Sequence, residues 1–478
     1  MDPDRRTLLR TGVAAAAALT TGNGALAQLQ SAAEETPAFE GNFTRAADAL
    51  AAAAEDFGHI VRRLPWGVLK PASTADIVEV MQWAGRHGMK VAARGQGHST
   101  YGRAMTDGGI VVDMGAMSTI GSVGPDRVVV GAGAPWESVL AATLAHGLTP
   151  PVLTDYLGLS VGGTLAVGGI GGSTSRYGMQ VDNVLELDVV TGDGRELTCS
   201  ADRNPELFDA LRAGYGQCGI VTRATLRLVR PPERVRVFQL SYPGLRALAA
   251  DQRLALADGR FDQLQGAVIP DDRGAWRYQL SGAVFYDTDT MPDEESVLAG
   301  LSDDRPAAEI ADLAYREHAG AFARLERMLR SNGQWFNPHP WLMTFVPGVN
   351  AETIASEILS GLTAEDIGAF GRVIYYPIHT AARRAPLFRL PDGDVAFVFN
   401  LVRVPESGDA GAAGEMVARN RVLYERIRDA GGVLYPVSAL PMSGGDWKRH
   451  LGPAWPLLQR ARQQYDPNSI LTPGYEIA

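Results

Sequence analysis

Residues 93–102 read Ala-Arg-Gly-Gln-Gly-His-Ser-Thr-Tyr-Gly, a loop in which His98 stands among Gly95, Gly97 and Gly102. Glycine lets a backbone approach a ligand closely and turn its N–H groups toward an anion. A histidine at the tip of such a loop can be aimed at whatever the loop holds. A dinucleotide fingerprint would read G-x-G-x-x-G and open a helix directly after a strand. Here Thr100 takes the third glycine position, and Gly102-Arg103 leads toward another strand. An NAD-type turn is therefore excluded, and in a lone glycine loop a histidine is more often structural or merely exposed.

Residues 153–178 supply a second glycine region, with six glycines between Gly162 and Gly172. That density is not expected to form a regular element. Leu159, Val161, Leu165, Val167 and Ile170 nevertheless call for burial. A buried glycine wall suits a long flat cofactor, because only glycine lets backbone N–H groups reach it. A ligand needing both a phosphate cradle and a nearby imidazole is a flavin nucleotide tethered through histidine.

The rest of the chain sets bounds on this reading. With 478 residues, two domains are the default. The composition is globular, 46% hydrophobic and 21% charged, and the net charge of −10 argues against nucleic acid and anionic membranes as partners. Arg5-Arg6, an Ala-rich run over residues 12–21 and Ala25-Leu26-Ala27 read as a twin-arginine export signal over residues 1–27, which implies a periplasmic or extracellular protein. The run is shorter than a bilayer span, so no membrane span is expected in the mature form. Cys199 and Cys218 are the two cysteines and are expected to remain unpaired thiols; no metal-ligand spacing exists.

From residue 65 to residue 230 the texture alternates between helix and strand. Ser73 is placed to cap a helix to about His87, and residues 90–93, 110–114 and 127–131 read as strands. A helix follows over 135–146 with Pro135 in its first turn. Residues 185–191 and 195–198 form a hairpin, and a Pro205-led helix and the strand 220–228 complete the unit. Pro231-Pro232 marks a boundary. Residues 28–59 read as a linker and N-terminal helix, 60–232 as the first domain and 233–435 as a second with an antiparallel sheet. Residues 436–478, with a helix through Gln464, are expected to return to the first.

The two glycine loops, Gly97-His98-Ser99 and the hairpin after Tyr177-Gly178 resemble the vanillyl-alcohol-oxidase, or PCMH-type, FAD-binding fold. Within it the chain is most similar to the cytokinin dehydrogenases, through residues 93–104, 154–163, 184–191, 214–224, 338–347 and 465–474. The resemblance implies an α+β architecture: a two-part PCMH-type FAD domain plus a substrate domain with an antiparallel sheet and flanking helices. It implies monocovalent FAD attached through His98, since no cysteine stands where a second tether would form. Gly95, Gln96, Gly97, Ser99 and Arg103 would lie in the pyrophosphate loop. Ser160, Ala166, Ile170, Val221 and Tyr475 would contact the flavin.

Asp155 matches the carboxylate that accepts a hydrogen bond from the substrate amine, although Thr-Asp-Tyr is also an ordinary turn. Gln265, a candidate substrate contact together with Trp341, stands where the plant enzymes are expected to carry a glutamate facing the substrate's ring, Ala439 where they carry a tyrosine and Tyr475 where they carry a glutamine. Trp341 reads as a cavity wall or core residue. The implied activity is oxidation of an N6-alkenyl adenine by hydride transfer to the flavin, with dioxygen or a quinone as electron acceptor. An alcohol or sugar oxidase of the same fold and a secreted, non-catalytic flavin-binding protein are the alternatives.

Overall fold

The computed structural model describes residues 36–271, 273–405 and 410–477. The twin-arginine stretch lies outside the described residues. None of the described helices is long and apolar enough to cross a membrane.

The chain opens with β1 (Asn42–Thr44), β2 (Gly67–Lys70), β3 (Val91–Arg94) and β4 (Ile110–Asp113), ordered β1-β2-β4-β3. β2 and β3 both pair with β4 in parallel. Val91, Ala92, Ile110, Val111 and Val112 are all buried, the continuous apolar character that a sheet covered on both faces demands. The helix Thr74–His87 connects β2 to β3 and buries Ile77, Val80, Met81 and Ala84, the face its spacing predicts. Gly88 ends it in the left-handed conformation at φ 62°. Ser73 holds the N-cap position without capping: its hydroxyl donates to Glu40 Oε2 at 3.2 Å. Asp76 does the anchoring, accepting from the N–H groups of Glu40, Gly41 and Ala72.

The second sheet contains β5 (Ile120–Val123), β6 (Arg127–Gly131), β7 (Val184–Thr191), β8 (Glu196–Ser200) and β9 (Gly219–Arg227) in the antiparallel order β5-β6-β9-β7-β8. The β7–β8 hairpin turns at Gly192-Asp193-Gly194, as read from the sequence. The helix after β6 runs Trp136–Leu144, with Pro135 outside it at the N-cap. The glycine wall departs from expectation, because Val161–Leu165 and Thr174–Tyr177 are single helical turns. Tertiary bonds supply what glycine's propensity lacks. Trp136 Nε1 donates to Thr164 Oγ1 at 2.9 Å, and Leu165 and Ala166 carbonyls accept from Ala213 and Tyr215.

Past Pro231-Pro232 the protein enters an eight-stranded antiparallel sheet. Its strands are β10 (Arg234–Tyr242), β11 (Gln263–Pro270), β12 (Trp276–Tyr286), β13 (Glu309–Ala314), β14 (Leu342–Pro347), β15 (Arg372–His379), β16 (Val395–Val402) and β17 (Val433–Leu434). They are ordered β13-β10-β12-β11-β15-β16-β14-β17. The helix expected through Gln464 is two, Gly444–Leu451 and Trp455–Tyr465, interrupted where Gly452 takes φ 50° and Pro453 offers no N–H. The backbone then returns to the first sheet. Val91 N–H donates to Ile470 O and Thr472 N–H to Val91 O, both at 2.8 Å. Cys199 and Cys218 are buried free thiols.

Candidate active site

β3 leads directly into the His98 loop, and Asp56 shapes it. This carboxylate is 3% exposed and accepts from Ser99 Oγ and Gly102 N–H, each at 2.6 Å, and from Gly58 N–H at 3.1 Å. Phe57 and Gly58 N–H groups donate to the carbonyls of Gly97 and Ser99 at 2.8 and 3.0 Å. Residues 56–58 are thereby laced along residues 97–102. Gly97 is required twice over: its φ is 65°, and a Cβ there would lie 2.3 Å from the Arg94 guanidinium.

The lacing sets the Phe57 ring against His98, with centroids 3.9 Å apart and 23° between planes. His339 covers the opposite face of Phe57 at 3.8 Å and 22°. Tyr156, Trp335 and Trp341 close the surround at centroid distances of 5.0, 5.8 and 6.1 Å. His339 Nδ1 lies 2.9 Å from Phe57 O, and a carbonyl only accepts, so that nitrogen carries the proton. Burial, helped by His339 and Arg330, pushes the His98 pKa down to about 3. The ring is neutral at physiological pH and keeps a nitrogen lone pair.

Both glycine segments and this aromatic group line one cavity of about 430 Å³. Gly95, Gln96, Gly97, Ser99, Arg103, Asp155, Ser160, Ala166, Ile170, Val221, Trp341 and Tyr475 all border it with His98. The cradle has no room for side chains: a Cβ on Gly95 would sit 1.9 Å from Ser160 Oγ, and one on Gly169 2.1 Å from Gln180 Oε1. A wall of bare backbone beneath an aromatic and aliphatic roof fits a flat dinucleotide cofactor such as FAD.

Several side chains do something other than their sequence context suggests. The Arg103 guanidinium turns to Gly474 O at 3.1 Å and Leu440 O at 2.7 Å, which fastens the C-terminal segment beneath the loop. Tyr475 lies against Tyr215, Trp447 and the Arg103 cation. Ala439 is buried and does not border the cavity, whereas Tyr435 does, its hydroxyl 3.3 Å from Gly169 N.

Asp155 borders the cavity and is exposed to it. Desolvation raises its pKa above the ordinary carboxylate range, against the opposing effects of the Gln265 hydrogen bond and the Arg372 charge. Gln265, expected to contact substrate, does not border the cavity; from β11 its Nε2 instead donates to Asp155 Oδ1 at 3.0 Å. The amide orients the carboxylate without competing for its proton, as a glutamate there would. Asp56, Phe57, Tyr156, Trp335, His339 and Arg372 escaped the sequence reading. Pro338-His339-Pro340-Trp341 was the one local signal, since two prolines fix the backbone around His339.

The buried histidines carry a stability consequence. His339, 1% exposed, and His450, 8% exposed, both have pKa values pressed down to about 3 by burial. Their unfolded values are about 6.5, so between these limits the unfolded state binds more protons than the folded one. The contribution of these two rings is full above about pH 6.5 and falls as pH drops toward 3, by at most about 1.4 kcal/mol per pH unit for each ring. Thermal unfolding of the double variant His339→Gln/His450→Gln is expected to lose part of the wild-type drop in Tm between pH 6.5 and 4.5, the rest staying with His98 and His318, whose pKa values burial also lowers. An unchanged slope would refute the assignment.

The family described as "FAD binding domain" matches residues 65–200, and "Cytokinin dehydrogenase 1, FAD and cytokinin binding" matches residues 267–478. An uncharacterised oxidoreductase of the fasciation locus of Rhodococcoides fascians is 41% identical over 90% of this chain and 97% of its own. Cytokinin dehydrogenase 10 of Oryza sativa subsp. japonica is 35% identical, covering 90% and 87%. The structure of 6-hydroxy-D-nicotine oxidase from Arthrobacter nicotinovorans superposes with a TM-score of 0.75 at 21% identity, over 93% of this chain and 99% of that one, a likeness of fold. With the glycine cradle and the Asp155 cavity, these relations establish that the chain belongs to the cytokinin dehydrogenase family of FAD-linked oxidoreductases.

Proposed function

We propose that the protein oxidises an N6-alkenyl adenine at the bond between the amine nitrogen and the alkenyl carbon, with FAD attached through His98. The observation that carries this reading is Asp155, a desolvated carboxylate held by Gln265 at the wall of the FAD cavity. FAD, when bound, supplies the hydride acceptor. Loss of hydride from the carbon beside the amine leaves a positive charge on the C–N unit, and Asp155 is placed to accept the amine proton as that charge develops. The neutral imine then adds water and separates into adenine and an aldehyde. Gly95, Gly97, Ser160, Gly169 and Val221 would hold the cofactor through main-chain groups. Dioxygen or a quinone would reoxidise it.

Sequence features at residues 1–27 support export by the twin-arginine route, which carries folded, cofactor-loaded proteins. Anaerobic addition of isopentenyladenine to the holoenzyme is expected to bleach the flavin absorbance. Bleaching by polyols or aldoses instead would make the protein an alcohol or sugar oxidase. A flavin that no member of such a panel bleaches would mark a binding protein.

A further inference from the structure

We propose that Arg372 is an oxyanion-binding subsite, so that the preferred substrate carries a carboxylate or phosphate on its non-reacting part. The inference rests on the reading in which substrate occupies the Asp155 cavity. On β15 the alternation puts Arg372, Ile374 and Tyr376 on one face, opposite Val402, Asn400 and Val398 of β16. Ala267 of β11 pairs with Ile374, which brings Gln265 level with Tyr376. Asp155, bonded to the tip of the Gln265 side chain, meets this face from the Tyr376 level, and Arg372 stands four residues along β15, within reach of the Asp155 field.

Arg372 borders the cavity, as do Phe370, two residues before it, and Val402, its partner across the strands, and neither of these side chains accepts a hydrogen bond. Among the described residues its guanidinium has no hydrogen-bond or ion-pair partner within 4 Å. Asp155 influences it only through its field, and Asp155 Oδ1 is already committed to Gln265. Arg372 is half-buried, and a guanidinium at a cavity wall without a partner among the described residues can give two of its donors at once to an oxyanion. Repulsion from Asp155 keeps such an anion at the Arg372 end and leaves the reacting bond to the carboxylate.

The test uses holoenzyme and the shift each ligand induces in the flavin absorbance. Benzoate or phenyl phosphate is expected to bind at least about tenfold more tightly than the neutral isostere benzamide; the stronger of the two identifies the anion. Arg372→Met is expected to bring that ratio close to one with benzamide affinity unchanged, and Arg372→Lys to retain part of it. Wild-type protein that does not distinguish the anions from benzamide overturns the proposal, and so does a ratio that survives Arg372→Met. Should Arg372→Met not fold, the wild-type ratio and the Lys variant decide. Bleaching by isopentenyladenine is scored separately: its presence without anion preference sinks this subsite alone, and its absence with anion preference sinks the adenine substrate alone.

Discussion

Asp155→Asn is expected to slow anaerobic flavin reduction by isopentenyladenine about 10²-fold or more while leaving the bound flavin spectrum unchanged. Asparagine keeps the shape and still offers Gln265 Nε2 an oxygen in place of the 3.0 Å bond to Oδ1, so packing is preserved and the proton acceptor is lost. The pH profile supplies the second readout. Desolvation raises the Asp155 pKa, and only the ionised carboxylate accepts a proton. The wild-type rate should therefore climb with pH through an apparent pKa above the ordinary value of about 3.9, and Asp155→Asn should flatten that limb. A variant with the wild-type rate and the same limb would remove Asp155 from the chemistry. A variant that loses flavin would instead indicate a structural part for the carboxylate.

The elements of the fold were legible to different degrees. Helix Thr74–His87 and hairpin β7–β8 could be read directly because their signals are local: apolar spacing and a Gly-Asp-Gly turn. The glycine wall was legible as a ligand surface, since its apolar neighbours demanded burial. Its helical turns at Val161–Leu165 and Thr174–Tyr177 were not. The first depends on Trp136, and on Ala213 and Tyr215 far along the sequence. His98 and Asp155 could be found by motif, but their partners come from remote segments. Asp56 lies 43 residues from Ser99, and Gln265 lies 110 from Asp155. No spacing rule links such pairs, and Arg372 is seen to face the cavity only once β15 is placed.

His98→Ala should abolish covalent attachment altogether. Acid-precipitated wild-type protein is expected to stay yellow, whereas the variant should give a colourless pellet with flavin in the supernatant. The geometry gives a reason beyond the presence of a histidine. Phe57 is held between His98 and His339 at 3.9 and 3.8 Å, and its own backbone is tied to Gly97, so the imidazole is confined to one orientation toward the cavity. Its pKa near 3 keeps a lone pair free at every pH where the enzyme folds well, which a bond-forming nitrogen requires and a charged imidazolium lacks. The alanine variant should still bind FAD reversibly, because the cradle at Gly95, Gly97 and Gly169 is built of backbone and loses nothing with the ring. A colourless wild-type pellet would show that His98 only lines the cavity, and yellow persisting in His98→Ala would move the tether to another residue. Either result would leave the glycine cradle as the whole of the hold that His98 and its loop have on the cofactor.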